Sequence, residues 1–422
     1  MNILILGSGG REHALAWKLK QSRKVTGLFV APGNAGTSLN ATNLPVDPEN
    51  FEEIRKAVLS NNIKMVIVGP EAPLVAGIAD FFRDDNLLKN IPVIGPDRSA
   101  ARLEGSKDFA KDFLTRYKIP TAAYRSFDHS TLNEAHEFLK SFSPPYVIKA
   151  DGLAAGKGVV ILNDLQDAIN EVKAMTEGKF GSAGNRVVIE QFLKGIEISV
   201  FVVTDGKTYK LLPEAKDYKR VGIADTGLNT GGMGAVSPVP FATAGFMNKV
   251  ALRIIEPTIN GLAEDGIVYR GFIFFGLMNV NGDPYVIEYN ARLGDPESEV
   301  TIPRIKSDLF ELMEGVAEGN LSERVIKTDE RYVTTVMLTS GGYPGHYDKG
   351  KEISGLDSVK DCVLFHSGTK ISDNKVVTSG GRVIAVSSWG NTMQEALQGS
   401  YMNAKLISFD KVYYRTDIGF DL

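Results

Sequence analysis

The first hundred residues constrain the fold most, because they repeat one pattern. Short apolar runs such as NILILG and KMVIVGP each end in glycine or proline and alternate with helical segments. Runs of this kind are typical of a parallel sheet with crossover helices. We therefore predict an α/β fold that begins with a parallel-sheet domain over residues 1–104. Functional loops of such sheets lie at the carboxyl ends of the strands.

The pattern changes after residue 104. The runs GFIFFGLMNV and DPYVIEYNA are joined by the turn 281–283 and predict an antiparallel pair. Residues from about 331 onward are rich in strand patterns and end in a predicted helix over 392–407. A chain of 422 residues exceeds one compact core, and two to four domains are expected at about 150 residues each.

Composition excludes several classes of protein. The net charge of −4 and the absence of a long basic run disfavour nucleic acid and membrane surfaces as partners. The single cysteine, Cys362, rules out an internal disulfide and is expected to be a buried thiol on a strand. No apolar stretch reaches the roughly 18 residues of a membrane span, and a strand begins directly after Met1, so we expect a cytoplasmic protein.

The stretch YVIKADGLAAGKGVVI, residues 146–161, holds a Gly-Lys pair that resembles a Walker loop. That loop reads GxxxxGK[ST], with a hydroxyl that holds magnesium, and it joins a strand to a helix. Here Gly152 to Gly156 is one residue too short, Gly158 replaces the hydroxyl, and a second strand run follows. The Walker interpretation therefore fails, and the segment is predicted to be a glycine-rich hairpin.

The loop GSGGRE, residues 7–12, resembles the start of a dinucleotide fingerprint. Glu12 replaces the third glycine and no acid follows the second strand, so an NAD site is disfavoured. The loop still joins a strand to a helix, where free N–H groups and the helix dipole favour an anion, and Arg11 adds positive charge. Two readings of Gly9 and Gly10 stay open, a site for a phosphorylated substrate and a tight turn.

The segment VIEYNARLGDPE, residues 286–297, predicts metal and phosphoryl chemistry. Glu288 and Asn290 are two apart on a predicted strand, so their side chains leave the same face. A carboxylate and an amide oxygen are hard ligands that suit magnesium. Arg292 extends the row, and an acid, an amide and an arginine together suit phosphoryl transfer. The alternative is a solvent-facing polar edge, which the apolar flanks disfavour.

Two further segments are informative only in context. In VVIEQFLKGIE, an apolar strand leading into E-x-x-L can offer backbone groups to an adenine edge, and Glu197 could bind ribose hydroxyls. This signal is weak alone, since many strands end in an acid. The segment 220–238 has five glycines in 19 residues, which fits either a lid or a surface loop.

Taken together, these segments resemble the glycinamide ribonucleotide synthetases, a family of the ATP-grasp superfamily. The resemblance runs from residue 1 to about 300 in the family's order. It rests on SGGREHAL, PGNAGT, GPEAPLV, GSKDFAKDF, VIKADGLAAGKGV, VVIEQFLKGIEIS, DYKRVG, NTGGMGAVSP and EYNARLGDPE.

The resemblance implies an ATP-grasp module over residues 105–320, with a small lid subdomain near 121–190 and a β-rich C-terminal domain over 321–422. ATP would lie between two antiparallel sheets, beneath a flap formed by residues 152–158. The residues implied to bind ATP are Lys107, Lys149, Gly152, Gly156, Lys157, Gly158, Glu190, Gln191, Leu193 and Glu197. Glu288 and Asn290 match the family's ligands for Mg²⁺ or Mn²⁺.

The family's reaction ligates glycine to 5-phosphoribosylamine. ATP phosphorylates the glycine carboxylate, and the amine then displaces phosphate from glycyl phosphate. Positioning and charge neutralisation would carry such a reaction without a protein nucleophile. The residues implied to contact these substrates are Gly9, Gly10, Arg11, Glu12, Asn34, Glu71, Glu214, Asp217 and Arg292. The residues implied to act in catalysis are Lys149, Arg292 and Asp295.

The chain departs from the family pattern at two points. Some ATP-grasp members carry an acid on the strand that precedes the metal ligands, and GFIFFGL has none, so the metal count stays open. Many members read Gly-Glu-Glu where this chain has Gly195-Ile196-Glu197. Two alternatives also stay open, an ATP-grasp purine enzyme that uses bicarbonate and a nucleotide sensor that ligates nothing. The expected partners are small molecules, and the expected assembly is a monomer or a weak homodimer.

Overall fold

A computed structural model describes residues 1–154 and 158–422. The chain begins with a parallel sheet of five strands in the order β3-β2-β1-β4-β5. Its elements are β1 (Asn2–Gly7), α1 (Gly10–Leu19), β2 (Gly27–Pro32), β3 (Thr42–Asn43), α2 (Phe51–Ser60), β4 (Met65–Val68), α3 (Glu71–Ala76), α4 (Ile78–Asp84) and β5 (Val93–Ile94). The parallel sheet predicted for this region is confirmed.

Two helices lead from the parallel sheet to a smaller antiparallel sheet. They are α5 (Arg98–Gly105) and α6 (Lys107–Arg116), and Asp97 and Ser106 cap their first turns through side-chain acceptors. The small sheet has the order β6-β9-β7-β8. Its elements are β6 (Tyr124–Asp128), α7 (Leu132–Lys140), β7 (Tyr146–Ala150), β8 (Val159–Leu162), α8 (Leu165–Ala174) and β9 (Arg186–Gln191). The predicted hairpin is therefore the β7–β8 pair.

A second antiparallel sheet, which we call the large sheet, has the order β11-β10-β16-β17. Its surroundings include a long helix in which α9 passes through a π-type turn into α10. The elements are β10 (Ile196–Thr204), β11 (Tyr209–Leu211), α9 (Ala244–Val250), α10 (Glu256–Glu264), β16 (Gly271–Val280), β17 (Asp283–Asn290), α11 (Ser298–Arg304) and α12 (Leu309–Glu318). The predicted antiparallel pair is confirmed as β16–β17.

The last sheet combines the C-terminal strands with two strands from the middle of the chain, in the order β12-β15-β18-β22-β19. Two small hairpins, β13–β14 and β20–β21, flank it. The elements are β12 (Lys216–Asp217), β13 (Arg220–Gly222), β14 (Thr226–Asn229), β15 (Gly234–Ser237), β18 (Tyr332–Thr339), β19 (Cys362–His366), β20 (Thr369–Ser372), β21 (Lys375–Thr378), β22 (Arg382–Gly390) and α13 (Met393–Ala404). The C-terminal region is β-rich, as predicted.

The parallel sheet, the large sheet and the C-terminal sheet share one apolar cluster, whereas the small sheet packs on a cluster of its own with α7 and α8. A single cluster of buried side chains joins β1, α12 and β18, represented by Ile3, Phe310 and Met337. Burial of this apolar area is the main force that fixes the parallel sheet against the C-terminal sheet. Among residues 1–154 and 158–422, none of the helices has the length and apolar run needed to cross a membrane.

Two details differ from the sequence-based predictions. Cys362 is only half-buried on β19, and burial raises the pKa of its thiol to about 11. Arg292 does not extend the row formed by Glu288 and Asn290, because β17 ends at Asn290. The chain turns there as the Ala291 N–H donates a hydrogen bond of 2.7 Å to Glu104 Oε2.

Candidate active site

The small sheet and the large sheet face each other across a cleft, which we call the inter-sheet cleft. Lys149 on β7 spans it, since its Nζ donates to the Ile287 carbonyl on β17 at 3.1 Å. The two sheets are also joined at the cleft's edge, where the Val286 N–H donates to the Pro120 carbonyl at 2.8 Å. Charged side chains from both sheets therefore meet in one space.

Lys107 is the first residue of α6, and Asp151 holds the start of this helix. Asp151, directly after β7, accepts hydrogen bonds from the Asp108 N–H at 2.8 Å and the Ser106 hydroxyl at 3.0 Å. The Lys107 Nζ then lies 3.2 Å from the Gly152 carbonyl. Burial lowers the pKa of Lys107, and Glu288 opposes this shift. The lysine thus lies at the start of the predicted flap and within electrostatic reach of the predicted metal ligands.

Lys149 and a second lysine share one buried carboxylate. The Glu190 side chain on β9 lies 3.0 Å from Lys149 and 3.2 Å from Lys111, and all three are at most 4% exposed. Burial alone would raise the pKa of Glu190, but the two lysines outweigh burial and lower it. Burial lowers the pKa of Lys111 to about 8. The structure thus places the Glu190 side chain in an ionic triad.

The predicted adenine hinge follows β9. Gln191 ends the strand, and Leu193 lies in the segment 192–195, which belongs to no strand. Their neighbour Glu197 lies on β10 and pairs with Lys219 at 2.7 Å, both side chains being partly exposed. Lys219 lowers the pKa of Glu197. The hinge therefore offers backbone groups outside a ladder, next to an ionised carboxylate.

Glu288 and Asn290 lie across the cleft from the lysines. A bulge at Ile287 resets the alternation of β17, because Gly276 pairs with Glu288 while Leu277 pairs with Val286. Glu288 and Asn290 then share one face, opposite the buried Tyr289, and both are partly exposed. Within the described residues no group of three His, Cys, Asp or Glu could hold a metal. This donor pair fits a hard cation that takes its other ligands from phosphate and water.

The predicted flap is described only at its ends. The Gly152 N–H donates to the Ala183 carbonyl at 3.1 Å, and the Gly158 carbonyl accepts from the Ala150 N–H at 2.7 Å. Gly156 and Lys157, both predicted to bind ATP, lie outside the described residues.

A second set of polar side chains lies where the parallel sheet, the 291–299 segment and the C-terminal sheet meet; we call this the junction. Arg11 is buried there, with Nε 2.6 Å from Glu12 Oε1 and Nη1 donating to the Leu293 carbonyl at 3.1 Å. Two backbone N–H groups of the glycine loop donate hydrogen bonds to carboxylates. The Gly9 N–H donates to Glu12 at 2.5 Å, and the Arg11 N–H donates to Asp295 at 3.4 Å. The free amides predicted for this loop are therefore partly used.

The Asn34 side chain likewise makes its hydrogen bonds to other groups of the protein. Its Nδ2 donates to the carbonyls of Ser8 at 2.8 Å and His366 at 2.7 Å, and its Oδ1 accepts the N–H groups of Gly36 and Thr37. All four hydrogen-bonding positions of the amide are thus filled. Its role as a substrate contact stays a prediction.

Arg292 bridges two acids between the cleft and the junction. Its guanidinium lies 3.2 Å from Glu71 and 3.0 Å from Glu104. Burial would raise the pKa of Glu71, but Arg292, Arg11 and hydrogen bonds together outweigh burial and lower it. For Glu104, fully within the core, burial dominates and the pKa is raised. The structure therefore brings Arg292 and Glu71 together, and their roles as substrate contacts stay predictions.

The other predicted contacts, Glu214 and Asp217, lie just before β12 and on it. Glu214 accepts a hydrogen bond from the Val239 N–H at 3.1 Å. Asp217 on β12 is buried, and burial raises its pKa to about 7. Nearby, Ser199 donates to Glu297 at 2.9 Å, and burial raises the pKa of Glu297 as well. Asp217 can therefore hold or release a proton near neutral pH.

Comparison with known proteins decides the family. The phosphoribosylglycinamide synthetase models match in chain order, with the N domain over residues 1–104, the ATP-grasp (A) domain over 105–298 and the C domain over 333–421. The chain belongs to the phosphoribosylglycinamide synthetase family.

Relatives of the synthetase family match over the whole chain. A phosphoribosylamine–glycine ligase of Pasteurella multocida is 46% identical over 425 residues, covering 100% of this chain and 98% of the relative. One of Haemophilus influenzae is 47% identical over 426 residues, with the same coverage. The crystal structure of phosphoribosylamine–glycine ligase from Thermotoga maritima superposes with a TM-score of 0.86 at 35% identity, covering 99% of this chain and 100% of that one.

More distant structures share the fold of the synthetase. The biotin carboxylase domain of Hydrogenobacter thermophilus 2-oxoglutarate carboxylase, solved in complex with MgADP, ADP and bicarbonate, superposes with a TM-score of 0.72 at 16% identity. It covers 98% of this chain and 91% of that one. At this identity the likeness concerns the fold alone.

Sequence reasoning missed several polar residues that the synthetase fold brings to the site. Some stood in quoted motifs without being singled out, namely Lys111, Lys219 and Glu297. Others gave no usable signal: the contacts of Glu104, Ser367 and Arg382 lie far away in the sequence, and the burial of Glu299 follows only from the fold. Their positions follow only from tertiary contacts.

Proposed function

We propose that this chain ligates glycine to 5-phosphoribosylamine, forming glycinamide ribonucleotide with conversion of ATP to ADP and phosphate. The reaction is a step of de novo purine biosynthesis. Full-length relatives named phosphoribosylamine–glycine ligase support this activity. The observation that carries it in the structure is the opposition of Lys107 and Lys149 to Glu288 and Asn290 across one cleft.

The proposed course runs through glycyl phosphate. A carboxylate is a poor electrophile, whereas its acyl phosphate is attacked readily by an amine. The terminal phosphoryl group therefore passes from ATP to a glycine carboxylate oxygen, and the amine nitrogen then bonds to the carbonyl carbon as phosphate leaves. Both steps concentrate negative charge on phosphate oxygens, which nearby fixed cations stabilise. Lys149 and Arg292 are proposed for this role.

ATP is proposed to lie in the inter-sheet cleft. Lys107 and Lys149 would contact its phosphates, together with the backbone at Gly152 and Gly158. The backbone of the 190–193 segment would take the adenine edge, and Glu197 the ribose hydroxyls. Because Glu197 is paired with Lys219 at 2.7 Å, ribose binding has to displace or share that lysine.

A divalent cation is proposed at Glu288 and Asn290, Mg²⁺ or Mn²⁺. Bound there, it would neutralise phosphate charge during transfer. The two side chains supply one carboxylate and one amide oxygen on the same face of β17. Lys107 and Arg292 lie within electrostatic reach of Glu288, so the site is balanced by cations on both sides.

The junction is proposed to receive 5-phosphoribosylamine. Candidates for its phosphate and ribose are the loop 9–12, Asn34 and Glu71. Candidates near glycine and the attacking amine are Glu214, Asp217, Arg292 and Asp295. Support comes from position, since Arg292 links the junction to the cleft through Glu71 and Glu104.

The domain division is also a proposal, with a substrate-binding domain over 1–104, an ATP-grasp module over 105–320 with its lid near 121–190, and a C-terminal domain over 321–422. The antiparallel sheet that joins β12 and β15 to β18 gives the last two parts a shared border. A cytoplasmic monomer or weak homodimer is proposed as the working form.

The test is ADP release by the purified chain with each substrate omitted in turn. Release should require both glycine and 5-phosphoribosylamine, and label from glycine should appear in the nucleotide product. Incorporation of labelled bicarbonate instead would indicate the other purine ligase. ATP binding without any ligated product would indicate a nucleotide sensor.

A further inference from the structure

Two carboxyl groups meet at the junction. Glu299, the second residue of α11, is 0% exposed, while the side chain of Asp295 is 11% exposed. Among the described residues, neither carboxyl oxygen of Glu299 has an N–H or hydroxyl partner. A buried ionised carboxylate without donors is strongly disfavoured, so the group must either hold a proton or find a partner.

The glycine loop is packed directly against this pair. A Cβ on Gly10 would lie 2.0 Å from Glu299 Oε1 and 2.8 Å from Ser367 Oγ, and a Cβ on Gly9 would lie 2.9 Å from Asp295 Oδ2. Glycine is therefore required at both positions, because any side chain would collide with the carboxyls. The pair closes the space between the start of α1 and the C-terminal sheet.

The charges around the pair decide where a proton lies. Burial and the adjacent Asp295 raise the pKa of Glu299, whereas Arg382 and Arg11 outweigh the burial of Asp295 and lower its pKa. Arg382 Nη1 lies 3.1 Å from Asp295 Oδ1 and also donates to the Asp295 carbonyl at 2.7 Å. The two arginines thus favour the negative charge on Asp295, and burial favours the proton on Glu299.

Among the described residues, Asp295 and Arg382 are the charged groups that act most strongly on Glu299. On α1, Arg11 and Glu12 face Asp295 and the glycine loop. Arg382 approaches from β22. The two other strands packed against α11, β15 and β18, contain no Asp, Glu, His, Lys or Arg. The remaining polar group is the Ser367 hydroxyl, which has no partner among the described residues and, like Glu299 Oε1, closely approaches the position of a Cβ on Gly10.

We propose that Glu299 is a positioning residue of the ligation step: it keeps a proton, donates it as a hydrogen bond to Asp295, and so fixes the Asp295 carboxylate where the attacking amine arrives. This inference rests on the proposed function. As the C–N bond forms, the C–O bond to phosphate breaks and its electron pair leaves with phosphate. The amine nitrogen loses one proton to Asp295, which passes it to phosphate or water, and Glu299 retains its own.

The proposal distinguishes a hydrogen-bond donor from a charge. In Glu299→Gln the amide N–H can still donate to Asp295, so kcat should stay within about 3-fold of wild type. In Glu299→Leu the donor is lost, and kcat should fall about 10- to 100-fold, with the KM for ATP changed less than about 3-fold. Glu137→Leu, on the exposed face of α7, is the matched control and should behave as wild type.

The pH profile gives a second readout. Wild type should lose kcat on the alkaline side as Glu299 gives up its proton, and this loss should be absent from Glu299→Gln, whose amide does not titrate. If Glu299→Leu fails to fold, Glu299→Gln alone decides. A fall in kcat of about 30-fold or more in Glu299→Gln, or full activity in Glu299→Leu, would overturn the proposal.

The two levels of inference fail in different ways. If wild type releases no ADP in response to glycine and 5-phosphoribosylamine, the proposed function is wrong whatever the variants do. If wild type is active and the glutamine variant is as impaired as the leucine variant, only the role of Glu299 is wrong. An ionised Glu299 would then be the alternative.

Discussion

The inter-sheet cleft and the junction are both lined by charged residues, but they use them differently. In the cleft, Glu288 and Asn290 are partly exposed and their side chains make no hydrogen bond among the described residues. In the junction, Arg11 and Asn34 are buried and bonded to the protein on nearly every side. Glu288 and Asn290 in the cleft keep unused hydrogen-bonding positions for a ligand, whereas Arg11 and Asn34 in the junction use theirs to hold three parts of the chain together.

This difference teaches what a polar motif in a sequence can mean. Groups with unused hydrogen-bonding positions are free to bind a ligand, whereas saturated buried groups are costly to remove because their partners are left unpaired. Substitutions in the cleft should therefore change turnover and leave the fold intact. Substitutions in the junction should change stability first.

The largest expected effect is on turnover, in the cleft. Glu288→Gln removes the negative charge of the proposed metal pair, and kcat should fall at least about 10³-fold, while the melting temperature stays near that of wild type. Asn290→Ala should act in the same direction. Asp283→Asn, at the exposed start of the same strand, is the control and should keep full activity. Near-normal turnover in Glu288→Gln would contradict the proposal that Glu288 binds the divalent cation.

The next effect concerns stability, in the junction. Arg11→Ala leaves Glu12 buried without its partner at 2.6 Å, so the free energy of unfolding should fall by about 3 kcal/mol. Urea unfolding measures this directly. The control is Arg83→Ala, whose side chain is 57% exposed and whose loss should change the free energy by less than about 1 kcal/mol. A stable Arg11→Ala with weakened binding of 5-phosphoribosylamine alone would make Arg11 a substrate ligand instead.

A smaller effect on binding should appear at Lys149. Lys149→Ala removes a cation from the ATP side of the cleft, and the KM for ATP should rise about 10- to 100-fold. The KM for 5-phosphoribosylamine should change much less, since the junction is not touched. Lys140→Ala, on an exposed helix, provides the control. Equal losses for both substrates would mean that the Glu190 triad supports the fold rather than the nucleotide.

The sequence predicted the cleft better than the junction, for a physical reason. The cleft motifs are local: the period of two along β17 puts Glu288 and Asn290 on one face, and the strand ending in Ala150 carries Lys149. The partners in the junction are far apart in the chain, as with Arg11 and Leu293, or Asn34 and His366. No local sequence pattern predicts such pairs. Resemblance to a family names the residues of a site but does not say which hydrogen bonds they make.

The ionic triad shows the same limit within the cleft itself. Glu190 was expected to belong to an adenine hinge because of its position before Leu193. That role concerns its backbone and stays a prediction, whereas its side chain joins Lys149 on the neighbouring strand to Lys111 on α6. Strand order decides this contact, since β9 lies between β6 and β7. A sequence pattern predicts strands more readily than their order.

The smallest expected effect tests whether the junction responds to acid. His13 on α1 and His366 on β19 are both buried, and the His13 Nδ1 accepts a hydrogen bond of 2.8 Å from the His366 N–H. Burial lowers the pKa of His13 to about 3 and that of His366 to about 4. Between these values and the ordinary pKa of about 6.5, the unfolded chain binds more protons than the folded one, so stability falls as the pH falls.

Comparison of wild type with the variant His13→Gln measures the contribution of His13 to the pH dependence of stability. Relative to that variant, wild type should lose about 0.7 kcal/mol of unfolding free energy from pH 7 to pH 6 and about 1.3 kcal/mol more from pH 6 to pH 5. Subtracting the unfolding free energies of the two proteins cancels the contribution of every group that they share. One such group is Asp217, whose pKa burial raises to about 7, so that its contribution to stability changes with pH in the opposite direction. His129→Gln, on an exposed turn, should run parallel to wild type. A constant difference between wild type and His13→Gln would show that His13 titrates alike in both states and that the junction is open to water.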